Sequence, residues 1–233
     1  MPEILAVTLD FYLTLVHHVT GKGRGATLME YLADQGLTSI PWEHQVLYDA
    51  FAFYGAAYRP DFSPAASLRF WTDFTARLFD RLRVQGPTAG SHAAHAAAVR
   101  EIVGPSSLVL FDDVVPALAW LHQRGLRVGV ISNWQCGLVH FCRELGVLSY
   151  LDFVLASAEI GCEKPDPRIF ELAVRRHGIP PAGILHVGDH PMEDVRGALA
   201  AGMQAALLAR DDDAPPPGVP VLRSLTELPA LLS

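Results

Sequence analysis

Ile184-Leu185-His186-Val187-Gly188-Asp189-His190-Pro191-Met192-Glu193-Asp194 starts as a short, nearly continuous apolar run and breaks into a glycine turn studded with carboxylates. A run this short, without alternating polar positions, reads as a strand buried on both faces of a parallel sheet. Three further runs read the same way. Ile4-Leu5-Ala6-Val7-Thr8-Leu9 stops at Asp10, Val128-Gly129-Val130-Ile131 stops at Ser132-Asn133, and Phe153-Val154-Leu155-Ala156 is the third. Ala205-Ala206-Leu207-Leu208 adds a fifth strand after Gly202.

From residue 112 onward, helical patterns separate these strands. Asp112 or Asp113 is placed to cap a helix running through Leu121 and closed by Gly125. Residues 135–145 form the next helix, ended by Gly146. Asp166-Pro167 is a cap followed by proline at the first helical position, opening a helix that stops at Gly178. A last one covers 192–201 and is closed by Gly202. Alternation of this kind implies right-handed crossovers and a Rossmann-like, doubly wound α/β sheet.

Residues 16–104 interrupt the alternation. They hold only helical patterns, near 24–36, 42–58, 64–83 and 91–103, punctuated by Pro41, Pro60, Pro64, Gly86 and Pro87. The expected organisation is therefore an α/β core from 1–15 and 105–233 with an α-helical domain, 16–104, inserted after the first strand. The stretch near 211–220 reads as a polar loop.

Composition excludes some functions. The formal net charge is −7, and no basic run or stripe is present to neutralise nucleic-acid phosphates. Phe51, Phe53, Tyr54 and Tyr58 fall at helical spacing, which reads as packing rather than base stacking. No segment approaches the ~20 apolar residues of a membrane helix, and the first ten residues lack a signal peptide's basic start. Cys136, Cys142 and Cys162 form no CxxC pair. Reduced thiols in a cytoplasmic protein are expected.

In open α/β sheets, ligands bind beyond the carboxyl ends of the strands. Here those ends carry Asp10 with Thr14, Ser132 with Asn133, and Asp189 with Asp194, while Lys164-Pro165 follows the third strand. Converging carboxylates repel unless a cation lies between them, and oxygen ligands select a hard ion such as Mg²⁺. A lysine and a hydroxyl beside that ion suit a multiply charged anion.

These pieces, in this order, resemble the haloacid dehalogenase-like (HAD) hydrolase superfamily over nearly the whole chain. Asp10-Phe11-Tyr12-Leu13-Thr14 matches its first motif with one departure, Ser132-Asn133 the second, Lys164-Pro165-Asp166-Pro167-Arg168-Ile169-Phe170 the third, and Gly188-Asp189 through Asp194 the fourth. The helical insertion is similar to the family's cap. The resemblance implies an Mg²⁺-dependent phosphatase in which Asp10 attacks phosphorus to form an aspartyl-phosphate. It also implies that Asp10, the Tyr12 carbonyl and Asp189 hold the ion, with Asp194 nearby. Tyr12, Ser132, Asn133 and Lys164 would meet the substrate, and Thr14 would steady the nucleophile loop. The implied partner is a small phosphorylated molecule, with monomer and homodimer both left open.

The departure is Tyr12, where phosphatases of the family carry a second aspartate as general acid and base. A phenol, with an ordinary pKa of ~10, is no base near neutrality, and general acid–base help is worth ~10²–10⁴-fold. Tyrosine at this place is familiar from the metal-independent 2-haloacid dehalogenases. That branch typically has Ser where this chain has Asp189, Asn where it has Pro191, and Tyr where it has Phe170. The third and fourth motifs therefore favour phosphatase over dehalogenase. A weakly active or non-catalytic member that binds a phosphorylated ligand is the third reading.

Several residues have plain structural readings. Asp166 reads as a helix cap, His17 and His18 as packing, Trp71 as domain core with Leu68 and Phe74, and Cys162 as a packed thiol. Ser132-Asn133 could cap the following helix as well as bind phosphate. His190 is not expected to replace the missing aspartate. Gly21-Lys22-Gly23-Arg24-Gly25 reads as a hinge and not a P-loop, because no Gly-Lys-Ser/Thr ending or preceding strand accompanies it.

Overall fold

The computed structural model describes residues 2–41, 46, 64–134, 137–210 and 218–232. The chain folds as two compact units, one from 1–17, 110–134 and 142–233, the other from 18–109 and 135–141. The helical pattern at 42–58, with Phe51, Phe53, Tyr54 and Tyr58, lies outside the described residues, as do Cys136 and most of the 211–220 loop.

The first unit is built on a six-stranded parallel sheet. Its strands are β1 (Ala6–Leu9), β4 (Arg127–Ser132), β5 (Phe153–Ala156), β6 (Ile184–Gly188), β7 (Gln204–Leu208) and β8 (Val221–Leu222), in the order β5-β4-β1-β6-β7-β8. The fold is thus the expected Rossmann-like, doubly wound sheet with a helical insertion. β2 (Val16–His18) and β3 (Leu108–Leu110) form a separate two-stranded sheet that the apolar pattern did not announce, since each is only three residues long. β8 was equally silent.

The long buried runs became strands because each is covered on both faces. All four residues of β1 are buried, as are all five of β6. One face packs Ala6, Ile131, Leu155 and Ile184 against Ile169, Phe170 and Ala173 of α7 (Pro167–His177). That helix starts where the sequence places it. Asp166 Oδ1 accepts from the Arg168 amide at 2.9 Å, Pro167 occupies the first turn, and Gly178 ends it at φ 65°, a conformation open to glycine.

Other expectations need correction. The helix expected over 135–145 appears as α5 (Leu138–Glu144), with residues 135–136 outside the described residues, and a short α6 (Ser157–Ile160) follows β5. Asp113 precedes α4 (Val114–Gln123) but its side chain does not cap it. Its carboxylate is taken instead by Arg210, Ser224 Oγ and the Leu225 amide. The helix expected over 192–201 is a π-helical turn, Pro191–Arg196, leading into α8 (Gly197–Ala200).

The second unit packs α1 (Arg24–Asp34), α2 (Pro64–Arg81) and α3 (His92–Val103) around an apolar core. Leu28 and Leu32 contribute from α1, Phe70, Trp71, Phe74 and Leu78 from α2, and Val99 and Ile102 from α3. Trp71 meets Phe74 edge-on at 5.3 Å. Leu68, expected beside them, is 54 % exposed, because it falls off the edge of the stripe centred on Trp71, Phe74 and Leu78. His18 is buried and bonds the Ile102 carbonyl at 3.0 Å, as a packing residue does.

Candidate active site

The sheet places the chemistry. Leu9 is in register with Val130 of β4 on one side and Val187 of β6 on the other. Asp10, one residue further, therefore emerges between the ends of those two strands, beside Ser132 and Gly188. The chain runs from β1 to β4 and β5 on one side, then returns through β6 and β7 on the other. This is the topological switch point where such sheets bind ligands.

Asp10 is 5 % exposed, and its Oδ1 accepts from Ser132 Oγ at 2.9 Å and from Lys164 Nζ at 2.6 Å. The same ammonium donates to Asp194 Oδ1. Lys164 and Asp194 are 2 % and 1 % exposed, so a cation and two carboxylates share a site almost free of water. Burial alone would lower the lysine's pKa, but the paired carboxylates outweigh it and hold the ammonium charged. Burial pushes the Asp10 carboxyl up, with Lys164 only partly offsetting it. For Asp194, burial is outweighed by Lys164 and by a hydrogen bond with His186, and its carboxyl lies well below the usual range.

Asp189 is half-buried, and burial together with the Asp10 and Asp194 charges raises its pKa to about 7. One ligand oxygen from each of Asp10, Asp189 and Asp194 lies within 4.8 Å of the others. An all-oxygen set of this kind fits a hard divalent ion and offers nothing to a soft one.

The π turn explains how Asp194 reaches the cluster. Both the Asp194 and Val195 amides donate to the His190 carbonyl, at 3.0 and 3.4 Å, and the wider turn carries Asp194 inward. Its Oδ2 then accepts from the His190 amide at 3.0 Å. Gly188 leaves the necessary room, because a Cβ there would lie 2.2 Å from Asp194 Cγ. Gly197 does the same against Phe170 and the Pro165 backbone. The His190 ring accepts from the Met192 and Glu193 amides through Nδ1, at 3.3 and 3.1 Å. It caps the π turn.

Asn133 is committed to the protein itself. Its Nδ2 donates to the Lys164 carbonyl and to Glu193 Oε2, both at 2.9 Å, and its Oδ1 accepts from the Lys164 amide at 2.6 Å. The side chain thus fixes the lysine turn. Thr14 is fully buried, its hydroxyl makes no hydrogen bond, and its carbonyl accepts from Arg210 at 2.7 Å. The half-buried Tyr12 ring leans against Trp134, centroids 6.0 Å apart. Leu13, between Tyr12 and Thr14, has φ 63°, a left-handed backbone that costs a non-glycine residue energy.

Two participants escaped the sequence reading. His186, the one polar break in β6, links Thr8 Oγ1 through Nδ1 at 2.9 Å to Asp194 Oδ1 through Nε2 at 3.0 Å. Glu193 holds Asn133. The interruption of an apolar strand by histidine was a visible signal for the first; nothing in spacing marked the second.

Fold and site together define an α/β enzyme core with an acidic, lysine-bearing pocket at the carboxyl ends of its strands. The profile of the haloacid dehalogenase-like hydrolases matches residues 5–202, and the chain belongs to that family. It is 34 % identical over 172 residues to the haloacid dehalogenase-like hydrolase domain-containing protein 3 of Mus musculus, covering 71 % of this chain and 68 % of that one. Over 121 residues it is 34 % identical to the glyceraldehyde 3-phosphate phosphatase of Methanopyrus kandleri, which spans 45 % of this chain and 50 % of the relative. A crystal structure of a 2-haloacid dehalogenase from Pseudomonas syringae pv. Tomato DC3000 superposes with a TM-score of 0.64 at 28 % identity, covering 98 % of both chains. No helix among the described residues is long and apolar enough to cross a membrane.

Proposed function

We propose that this hydrolase is an Mg²⁺-dependent phosphatase that acts on a small phosphate ester through an aspartyl-phosphate on Asp10. The observation that carries the reading is the meeting of Asp10, Asp189 and Asp194, drawn from opposite ends of the chain, around Lys164. Asp10, the Tyr12 carbonyl and Asp189 would hold the ion, with Asp194 at the edge of the set because its oxygens already accept three hydrogen bonds. When bound, the ion screens the negative charges that would otherwise keep nucleophile and phosphate apart.

An Asp10 carboxylate oxygen forms the new bond to phosphorus as the ester oxygen leaves and takes a proton from solvent. Water then attacks phosphorus, releases phosphate and restores the carboxylate. Lys164, held charged, orients Asp10 and offsets charge on the phosphoryl oxygens. Ser132 donates its one hydroxyl proton to the same carboxylate oxygen, and would turn it to a phosphoryl oxygen when substrate is bound. With Tyr12 in place of an aspartate, no side chain at that position takes a proton from water, so turnover is slow on unactivated esters and fastest on good leaving groups. The phosphatase relative supports the reading at the level of reaction class, and the free thiols of Cys142 and Cys162 suit a cytoplasmic enzyme.

A second reading, halide displacement from a 2-haloacid without metal, is favoured by Tyr12 and by the dehalogenase of similar fold. One experiment separates the two. Phosphate release from p-nitrophenyl phosphate is expected with Mg²⁺, is lost in chelator, and falls at least ~10³-fold in Asp10→Asn. Chloride release from 2-chloropropionate in chelator would instead establish the dehalogenase, and turnover in neither assay would leave a ligand-binding protein.

A further inference from the structure

A second charge network, sharing no side chain with the acidic pocket, meets the loop that carries Asp10 at the Thr14 carbonyl. Arg210 follows β7, and its guanidinium makes a two-pronged contact with Asp113, Nη1 to Oδ2 and Nη2 to Oδ1, both at 2.9 Å. Nη2 also donates to the Thr14 carbonyl at 2.7 Å, and the guanidinium carbon lies 3.7 Å from the centre of the Phe111 ring. Both side chains are largely removed from water, at 17 % and 12 % exposure. Asp113 is itself held by Ser224 Oγ and the Leu225 amide, each at 2.8 Å, and the Phe111 amide donates to the Leu15 carbonyl at 3.0 Å. Arg210 thus ties the loop 10–16 to the 111–113 segment, which Ser224 and Leu225 hold in turn through Asp113, and of these only the loop 10–16 belongs to the catalytic apparatus.

That loop needs an external hold. It closes through the Leu13 amide to the Val16 carbonyl at 2.7 Å and the Leu15 amide to the Phe11 carbonyl at 2.8 Å, with Leu13 in the left-handed region. A strained backbone persists only where its surroundings over-determine it. Arg210 supplies a rigid planar fork whose several donors serve the Asp113 carboxylate and the Thr14 carbonyl together; a lysine, a point charge on a flexible stem, does not reproduce that geometry.

We propose that Arg210 is a positioning residue that clamps the nucleophile loop through the Thr14 carbonyl, with Asp113 and Phe111 fixing the clamp. The inference rests on the reading of Asp10 as nucleophile. A misplacement of about 1 Å at such a loop is enough to cost ~10²-fold in rate. The test uses the full-length protein and the variants Arg210→Lys and Arg210→Met. Hydrogen exchange at the Leu13, Leu15 and Val16 amides is expected to rise at least tenfold in both, with β4 and β5 unchanged. With p-nitrophenyl phosphate and saturating Mg²⁺, kcat is expected to fall 5–50-fold while KM changes less than twofold. Unchanged loop exchange, a rise spread equally over the sheet, or full rescue by Arg210→Lys would overturn the clamp. Looser exchange with kcat intact would overturn its catalytic role. A wild-type protein that turns over no substrate sinks the functional reading instead, and loop exchange alone then decides whether Arg210 holds the loop.

Discussion

The two compact units bury polar groups in opposite ways. In the helical unit, buried Arg24 and His18 turn to the Val103 and Ile102 carbonyls. The Thr75 hydroxyl returns to the Trp71 carbonyl at 2.7 Å, and Tyr31 meets His95 at 2.7 Å within a core otherwise made of Leu, Phe, Trp and Val. In the sheet unit, Lys164 is buried against Asp10 and Asp194, carboxylates from the two ends of the chain. Packing explains the first pattern. The second costs desolvation that hydrophobic residues of similar volume would avoid, and its retention marks the sheet unit as the place where chemistry is prepared.

The sharpest way to expose the contrast is to remove one side chain from each. Phe74→Ala should cost ~4 kcal/mol of stability, because Phe74 is fully buried and its loss leaves a cavity; denaturant titration monitored on the helical unit measures it, and added Mg²⁺ should recover none of it. Lys164→Met should cost ~3 kcal/mol, because buried carboxylates lose their cation. Here Mg²⁺ should restore part of the loss, since an ion that binds only the folded state stabilises it. Equal indifference of both variants to Mg²⁺ would erase the distinction.

A smaller effect belongs to His177, buried at the end of α7 with neither ring nitrogen hydrogen-bonded. Burial, with a lesser contribution from Arg127, lowers its pKa from 6.5 to about 4. Above pH 6.5 the ring is neutral in both folded and unfolded chains, and stability is full. Between 6.5 and 4 only the unfolded chain takes up the proton, so stability declines and then levels off, by at most ~3 kcal/mol in all. In His177→Phe this part of the decline should vanish from the difference between the two stability–pH curves. Persistence of the full slope would assign it to the carboxylates.

Much of this was legible in the sequence, and for a physical reason. Strands covered on both faces leave unbroken apolar runs, so β1, β4, β5, β6 and β7 announce themselves, and β1, β4 and β6 end at polar side chains. Asp10, Ser132 and Asp189 could be nominated on that ground, while Lys164 and Asp194, set in the turns beyond β5 and β6, needed the motif order as well. What stayed hidden depends on distance rather than on local pattern. Residues 192–201 have ordinary helical propensity, and only the requirement that Asp194 reach Lys164 and the His190 amide widens the first turn to a π turn. Asp113 looks like a cap until Arg210, far along the chain, takes its carboxylate. Asn133 looks like a substrate ligand until the Lys164 turn and Glu193 use its amide. Leu68 shows the limit of spacing as a guide to burial, since three residues before Trp71 it lies at the edge of the stripe and not within it.

The nucleophile can be caught directly. The wild-type protein, quenched in acid during turnover of p-nitrophenyl phosphate with Mg²⁺ and reduced with borohydride, should yield homoserine at position 10 on peptide mapping, and nowhere else. Phosphate released with Asp10 recovered unmodified under the same quench would contradict a covalent aspartyl intermediate.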